Sequence, residues 1–238
     1  MRAACNICGN GTFIDMRQTD RSLFVRKGVV CETCHSLERH RLVFAFLKDR
    51  GLLAGNRRIL HIAPERCLAP ILRARFGKNY IHGDKDVGRY CDRGAVELDL
   101  CHDLGQFEEG TFDLVIHNHV IEHVACDYQT VLKKLDGLVK PGGWHILSVP
   151  FMPGGYREAS HEDDENWRIE HCGQWDHWRI FSPEDFHETL GAVLSIPDSY
   201  DATRIFSPER LAGMNIPESA WYGLNNNAVF FLQKADHS

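Results

Sequence analysis

Four cysteines in two matched pairs are the first residues in this chain able to do chemistry. They are Cys5-Asn6-Ile7-Cys8 and Cys31-Glu32-Thr33-Cys34, with 22 residues between Cys8 and Cys31. A C-x-x-C turn points two thiolates at one ion, and two such turns complete a tetrahedral four-sulfur site. That site has no open coordination position, so the Zn2+ it implies is structural and not catalytic. Four unrelated buried thiols would not repeat the spacing, and a redox pair would leave the second pair unexplained. His35 is an alternative ligand, ranked below the cysteines. A second knot of chemistry ends the stretch FDLVIHNHVIEHV (112–124), where an apolar run gives way to Asn118, His119, Glu122 and His123. Polar groups are costly to bury without partners. Their place straight after a buried strand suits a mouth where a ligand supplies the partners.

The elements that position these groups are legible in outline. FIDM and LFVRKGVV read as the strands of a hairpin between the cysteine pairs, so residues 1–36 form a zinc-ribbon module. A piece that small buries little core and depends on its metal. SLERHRLVFAFLKDRGLL (36–53) is an amphipathic helix with Ser36 as its N-cap, linking over 37–56 to the rest. From residue 57 short apolar runs alternate with helical patterns. Strands are expected at 57–63, 79–84, 95–100, 112–118, 144–150, 192–196 and 227–234, and helices at 65–77 and 127–140. This alternation predicts an α/β fold, a Rossmann-like, mostly parallel seven-stranded sheet with helices on both faces, over 57–238. A substrate-covering insertion is expected at about 151–182.

Open sheets of this kind bind ligands at the carboxyl ends of their strands. The residues there are His61, Ala63, Pro64 and Glu65 after the first strand, then Asp84, Asp99, and the pair Asn118 and His119. Asp84 lies nineteen positions beyond Glu65, about where an acid grips a ribose diol. Asp84 and Asp99 also suit ordinary turns and caps, so the order of the signals along the chain carries more weight than any one of them.

FDLVIHNHVIEHV, a helix, then LVKPGGWHILSVP resembles the class I S-adenosylmethionine-dependent methyltransferases. CETCHSLERHRLVFAFL followed by ILHIAPE is similar to a bacterial subgroup with a Cys-rich N-terminal ribbon. The resemblance implies that the His61–Glu65 turn faces the methionine part of S-adenosyl-L-methionine and that Asp84 holds the ribose. It places Asp99 and Leu100 beside the adenine, and Asn118, His119 and Val120 near the sulfonium. The turn HIAPERC lacks the glycine-rich G-x-G of many members. That loss is tolerable for a cofactor without phosphate and unfavourable for a dinucleotide. His119, His123 and His177 are the candidate bases. In the insertion Trp167, Trp175 and Trp178 are candidate pocket walls, His171 a further base and Arg179 an anion-binding group. His161, Glu162, Asp163 and Asp164 could bind a divalent cation, though such a run is more often a solvated face.

Composition narrows the partners. With 43% apolar and 25% charged residues the chain is an ordinary globular one. It has neither a signal-peptide stretch nor a run of about eighteen apolar residues, so a cytoplasmic protein without membrane contact is expected. Its nine cysteines, an odd count, argue against a disulfide framework. The net charge of −6 conceals a basic front: residues 1–58 hold eleven Lys/Arg against five Asp/Glu. The leading expectation is O- or N-methylation of a small molecule such as a sugar or a biosynthetic intermediate. An RNA methyltransferase whose basic ribbon grips nucleic acid ranks second. His119 and Val120 stand where the N-P-P-[YF] motif of adenine-N6 enzymes would fall, which disfavours that base chemistry. A non-catalytic zinc-ribbon scaffold is the third reading.

Overall fold

A computed structural model describes residues 3–17, 25–89 and 94–236. The front of the chain forms the hairpin β1 (Phe13–Arg17) and β2 (Val25–Cys31), antiparallel with an irregular register between Ile14 and Met16. Helix α1 (Glu38–Asp49) follows. Its N-cap is Leu37 and not Ser36: the Leu37 N–H donates to His40 Nδ1 at 3.2 Å. Ser36 is occupied elsewhere. Its carbonyl accepts from Arg41 Nη1 at 2.7 Å, and its hydroxyl lies 3.3 Å from Cys5 Sγ.

The main sheet contains β3 (Ile59–Ile62), β4 (Tyr80–Asp84), β5 (Val96–Glu97), β6 (Phe112–Asn118) and β7 (Val139–Ser148). Helix α2 (Ala69–Phe76) joins β3 to β4, with Pro70 in its first turn, where a missing N–H costs no helical bond. Helix α3 (Tyr128–Leu138) joins β6 to β7, and the Asp127 carboxylate caps it by accepting from the Gln129 and Thr130 N–H groups. Two further short strands, β8 (Arg157–Glu158) and β9 (Arg179–Ile180), pair with each other and flank helix α4 (Glu165–Cys172). The last strand, β10 (Phe230–Gln233), pairs antiparallel with β7.

The strand order is β10-β7-β6-β3-β4-β5, with all neighbours except β10 parallel. The fold is therefore mixed α/β and Rossmann-like, with six strands among the described residues rather than seven. The segment 192–196 forms turns. Leu194 still enters the core, but none of these residues has a strand partner. Central strands β3 and β6 are buried along nearly their whole length, as a parallel sheet covered on both faces requires. Gly83 permits the approach of β5: a Cβ there would stand 2.8 Å from the Val96 carbonyl oxygen. The chain runs outward from β3 through β4 to β5, then returns to place β6 on the other side of β3. That reversal is the topological switch point, where such sheets open a ligand crevice.

The hairpin is fastened to the far end of the chain. The Ala4 N–H donates to the Gly213 carbonyl at 2.9 Å, and buried Arg41 donates to the Val29 and Asn215 carbonyls at 3.0 Å each. Phe46 of α1 stacks on Phe231 of β10, ring centroids 4.0 Å apart, tying α1 to the main sheet. Among the described residues no helix is long and apolar enough to cross a membrane.

Candidate active site

The two strands at the switch point end in the same unusual way. Ala63, after β3, has φ of 48°, and His119, after β6, has φ of 54°. Left-handed backbone is uncommon for residues with a Cβ and persists where surrounding bonds enforce it. Here the Ala63 N–H donates to the Gly83 carbonyl and the His119 N–H to the Ser148 carbonyl, each at 2.9 Å. Neighbouring strands thus pin both turns. Ala63 and His119 line two cavities, one on each side of this point.

The larger cavity, ≈ 460 Å³, brings Asp84, Asp99, Leu100, Val120 and His123 together with Ala63 and His119. Trp175, Asp176 and Trp178 close it from the segment between α4 and β9, with Arg168 of α4. Asp84 Oδ1 accepts from the Asp86 N–H at 2.9 Å, an Asx turn that fixes the acid at the end of β4. Asp99 Oδ1 accepts from the Cys101 N–H at 2.9 Å, and Oδ2 lies 2.9 Å from Lys85 Nζ. Partial burial favours the neutral acid, but the Lys85 ammonium and the Cys101 N–H outweigh it and hold Asp99 below the usual carboxylate range.

The smaller cavity, ≈ 390 Å³, is lined by Pro64, Glu65 and Asn118, and on its other side by Cys34, His35, Arg39 and His40. The segment from the end of the hairpin into α1 is therefore part of its wall. Glu65 Oε1 accepts from Asn118 Nδ2 at 2.7 Å, and Asn118 Oδ1 accepts from the Ser148 hydroxyl at 3.0 Å. His61 lines neither cavity. It is fully buried, with Nδ1 2.9 Å from the Tyr80 hydroxyl and Nε2 2.7 Å from Glu65 Oε2. Burial would raise the Glu65 pKa. The His61 charge and the bonds from His61 and Asn118 prevail and hold it far below normal. Burial drives His40 down to about 3, so it is neutral here.

The remaining candidates divide between wall and support. His123 faces the larger cavity, its Nδ1 3.3 Å from Asp176 Oδ2. His177 stands behind it, with ring centroids 4.8 Å apart and Nδ1 donating to the Cys172 carbonyl at 2.8 Å. Trp167 stacks on His171 and lines neither cavity. Arg179 is not an anion-binding group. Its guanidinium is buried and donates to the carbonyls of Ile121, Val124 and Cys126 and to Glu158. Two acids of the run 161–164 are likewise occupied. Asp163 accepts from the Ser160 N–H and hydroxyl, and Asp164 caps α4 by accepting from the Trp167 N–H at 2.9 Å.

At the front, Cys5, Cys8, Cys31 and Cys34 bring their sulfurs within 4.8 Å of one another, with Cys5–Cys34 at 3.6 Å and Cys8–Cys31 at 3.5 Å. Tetrahedral bonds of 2.3 Å require sulfurs about 3.8 Å apart, so the donor set fits zinc. Cys101 and Cys126, in contrast, are joined as a disulfide across 25 residues, a pairing that the odd cysteine count argued against. The fold brings the loop after β5 against the loop after β6, a proximity that counting does not register.

Sequence reasoning left Arg39 and Asp176 without a role and named Glu122 only as one of the polar groups after β6. The first two carried no signal beyond their charge. Glu122 sits in the H-x-x-E-H spacing of His119, Glu122 and His123, a pattern that brings three polar groups within one helical turn.

No match is found among curated protein sequences. Among solved structures, the chain is similar to a 1,6-didemethyltoxoflavin-N1-methyltransferase of Burkholderia thailandensis: 18% identity, TM-score 0.49, covering 84% of this chain and 79% of that one. A SAM-dependent methyltransferase of Archaeoglobus fulgidus gives 17% identity, TM-score 0.46 and coverage of 82% and 94%. Phosphoethanolamine N-methyltransferase 2 of Haemonchus contortus gives 17%, 0.47, and coverage of 82% and 52%. The family model described as "Methyltransferase domain" matches residues 8–193, most of the chain and both cavities' strand mouths. The chain belongs to the methyltransferase-domain family.

Proposed function

We propose that this protein is an S-adenosyl-L-methionine-dependent methyltransferase of a small molecule, acting at an oxygen or nitrogen. One observation carries the reading: Asp84, Asp99 and the left-handed turns at Ala63 and His119 converge on one switch point with a cavity on either side. Two cavities that share Ala63 and His119 in their walls suit a cofactor with a nucleoside at one end and an amino acid at the other. Asp84 would hold the ribose hydroxyls, and Asp99 and Leu100 would border the adenine, in the larger cavity. In the smaller one Glu65 and Asn118 suit the ammonium group. Arg39, whose Nε has no hydrogen-bond partner among the described residues, suits the carboxylate. His61 acts on this end only through Glu65. Ala63, Pro64, His119 and Val120 line the junction. When bound, the cofactor supplies a methyl group on a sulfonium, ready for in-line displacement.

The chain's own task is then alignment, exclusion of water and handling of one proton. Trp175 and Trp178 wall the acceptor space, and His119 and His123 are the histidines that line the same cavity, with His177 supporting His123. We assign Zn2+ to the four cysteines as a structural ion. We divide the chain into the ribbon (1–36), the linking helix (37–56) and the catalytic domain (57–238), with residues 151–182 covering the acceptor. The nucleic-acid reading draws less support. Of the basic residues at the front, Arg41 is consumed inside, Arg26 pairs with Glu38, and Arg39 faces the smaller cavity.

Calorimetry with S-adenosyl-L-methionine and S-adenosylhomocysteine tests the reading, followed by an acceptor screen with labelled methyl groups. Saturable binding of both is expected, weakened at least about tenfold, or ~1.4 kcal/mol, by Asp84→Ala. Absence of binding by the zinc-loaded protein would refute the assignment.

A further inference from the structure

Glu122 is buried to 0% exposure, and among the described residues neither of its carboxylate oxygens has a hydrogen-bond partner. Its one partner among the ion pairs of the described residues is the His119 imidazole, Nδ1 3.3 Å from Oε1. A carboxylate so placed loses its hydration with little in return, and an unpaired buried charge is strongly destabilising. Two further donors stand beside it. One ligand atom each from Glu122, His123 and His177 lie within 4.8 Å of one another.

The surroundings prepare both rings for coordination. His177 Nδ1 donates to the Cys172 carbonyl at 2.8 Å, which fixes the tautomer and leaves the Nε2 lone pair free. His123 Nδ1 lies 3.3 Å from Asp176 Oδ2, the carboxylate partner that a metal-bound imidazole ordinarily has. The backbone is held as well. The Trp178 N–H donates to the Glu122 carbonyl at 2.7 Å, and Arg179 Nη1 donates to the carbonyls of Ile121 and Val124 on either side. The buried Arg179, which binds no external anion, thereby clamps the turn that presents Glu122 and His123.

We infer that Glu122, His123 and His177 form a second metal site, distinct from the four cysteines, for a divalent transition ion such as Mn2+, Fe2+, Co2+ or Zn2+. Two imidazoles and one carboxylate suit these ions, and the lack of a thiolate disfavours a soft ion such as Cu(I). Three protein donors leave coordination positions open. His123 belongs both to this cluster and to the wall of the larger cavity, so the ion stands at the edge of the acceptor space. The open positions take water or an oxygen of the acceptor, and His123 and His177 then serve as ligands rather than as bases. This last step rests on the methyltransferase reading; metal binding itself does not.

The test uses full-length protein with its cysteine site already filled with zinc. Mn2+ is titrated in, and free Mn2+ is read by electron paramagnetic resonance. Mn2+ favours carboxylate and imidazole over thiolate, so it reports the second site alone. About one equivalent is expected to bind. Glu122→Gln, His177→Gln and the partly exposed His123→Gln should each weaken it at least about tenfold, the scale set by loss of even an outer partner of a metal. Bound Mn2+ should also enhance solvent-proton relaxation, because an open position holds exchangeable water. No binding by the wild-type protein of either Mn2+ or Co2+ overturns the site, as does unchanged affinity in all three variants. Binding without relaxation enhancement overturns the open coordination. Failure of S-adenosyl-L-methionine to bind, with Mn2+ retained, would strike the proposed function and leave the metal site standing.

Discussion

The N-terminal hairpin and the main sheet lie side by side in one chain and bury very different amounts of apolar surface. In the described part of the hairpin, the buried apolar residues are few, Cys5, Val29 and Cys31 among them, and two of those are proposed metal ligands. In the sheet Ile59, Leu60, Leu114, Val115 and Ile116 are all at 0% exposure within one continuous core. A piece with so little apolar surface to bury relies on ligand bonds, while a large core is stabilised by burial at about 25 cal/mol per Å². The two regions should therefore fail separately, and for different reasons.

Metal removal is the largest expected effect. Chelation of zinc, or Cys8→Ser, should unfold the hairpin outright, opening residues 3–36 to proteolysis and hydrogen exchange while β3 and β6 stay protected. Simultaneous exchange of both would show that the ribbon is no separate unit. Because Cys34, His35 and Arg39 wall the smaller cavity, cofactor affinity should fall with the ribbon. In the sheet, Ile116→Ala should cost about 2–5 kcal/mol, read as a lower Tm, with zinc content unchanged. Loss of zinc in that variant would break the comparison from the other side.

Glu65 couples the two regions, because it sits at the β3 mouth and faces the ribbon-lined cavity. Its folded pKa is held below the ordinary value of 4.5, so the stability it contributes is fully present above about that pH. That contribution is lost as pH falls toward the folded value. Acid titration of stability should therefore steepen below about pH 4.5, and Glu65→Gln should flatten that limb. An unaltered acid limb in the variant would show that the His61–Glu65–Asn118 chain stores no pH-dependent stability.

The same contrast explains how much could be read from sequence. Local patterns were legible: the cysteine spacing gave the sulfur cluster, and β6 spans the expected 112–118. The segment 141–143, which falls between the expected helix 127–140 and the expected strand 144–150, is part of β7. Gly142 adopts a φ of 72° within it, and the register against β6 shifts between Phe112 and Leu114. A bulged strand and a turn use the same residues, so only pairing distinguishes them. β5 keeps two paired residues of the six expected: the Leu98 N–H still reaches the Asp84 carbonyl of β4, and the chain then turns at Asp99, whose carbonyl accepts from the His102 N–H. Most hidden were features that join distant residues: Glu122 with His177, Arg39 with the β3 mouth, and Cys101 with Cys126. Nothing in the spacing of such residues encodes their meeting; the sheet order does.

The smallest effect is the sharpest check that the sheet owes its stability to burial and backbone bonds and not to surface charge. Lys140 Nζ lies 3.1 Å from Asp113 Oδ2 at the edge of the β6–β7 pair, and both side chains are partly exposed. An exposed pair of this kind contributes about 0–1 kcal/mol and is screened by salt. Lys140→Met should therefore shift Tm by no more than a few degrees, and less at high salt. Asp113→Ala removes more than the ion pair, because the same Oδ2 accepts from the Arg58 N–H at 2.7 Å, at the entry to β3. Its cost should exceed that of Lys140→Met by about 1.5–3 kcal/mol, the value of a backbone hydrogen bond to a charged acceptor, and that difference should survive high salt. Equal costs for the two variants, both vanishing in salt, would mean that the Arg58 contact holds nothing and that charge pairing alone secures this edge.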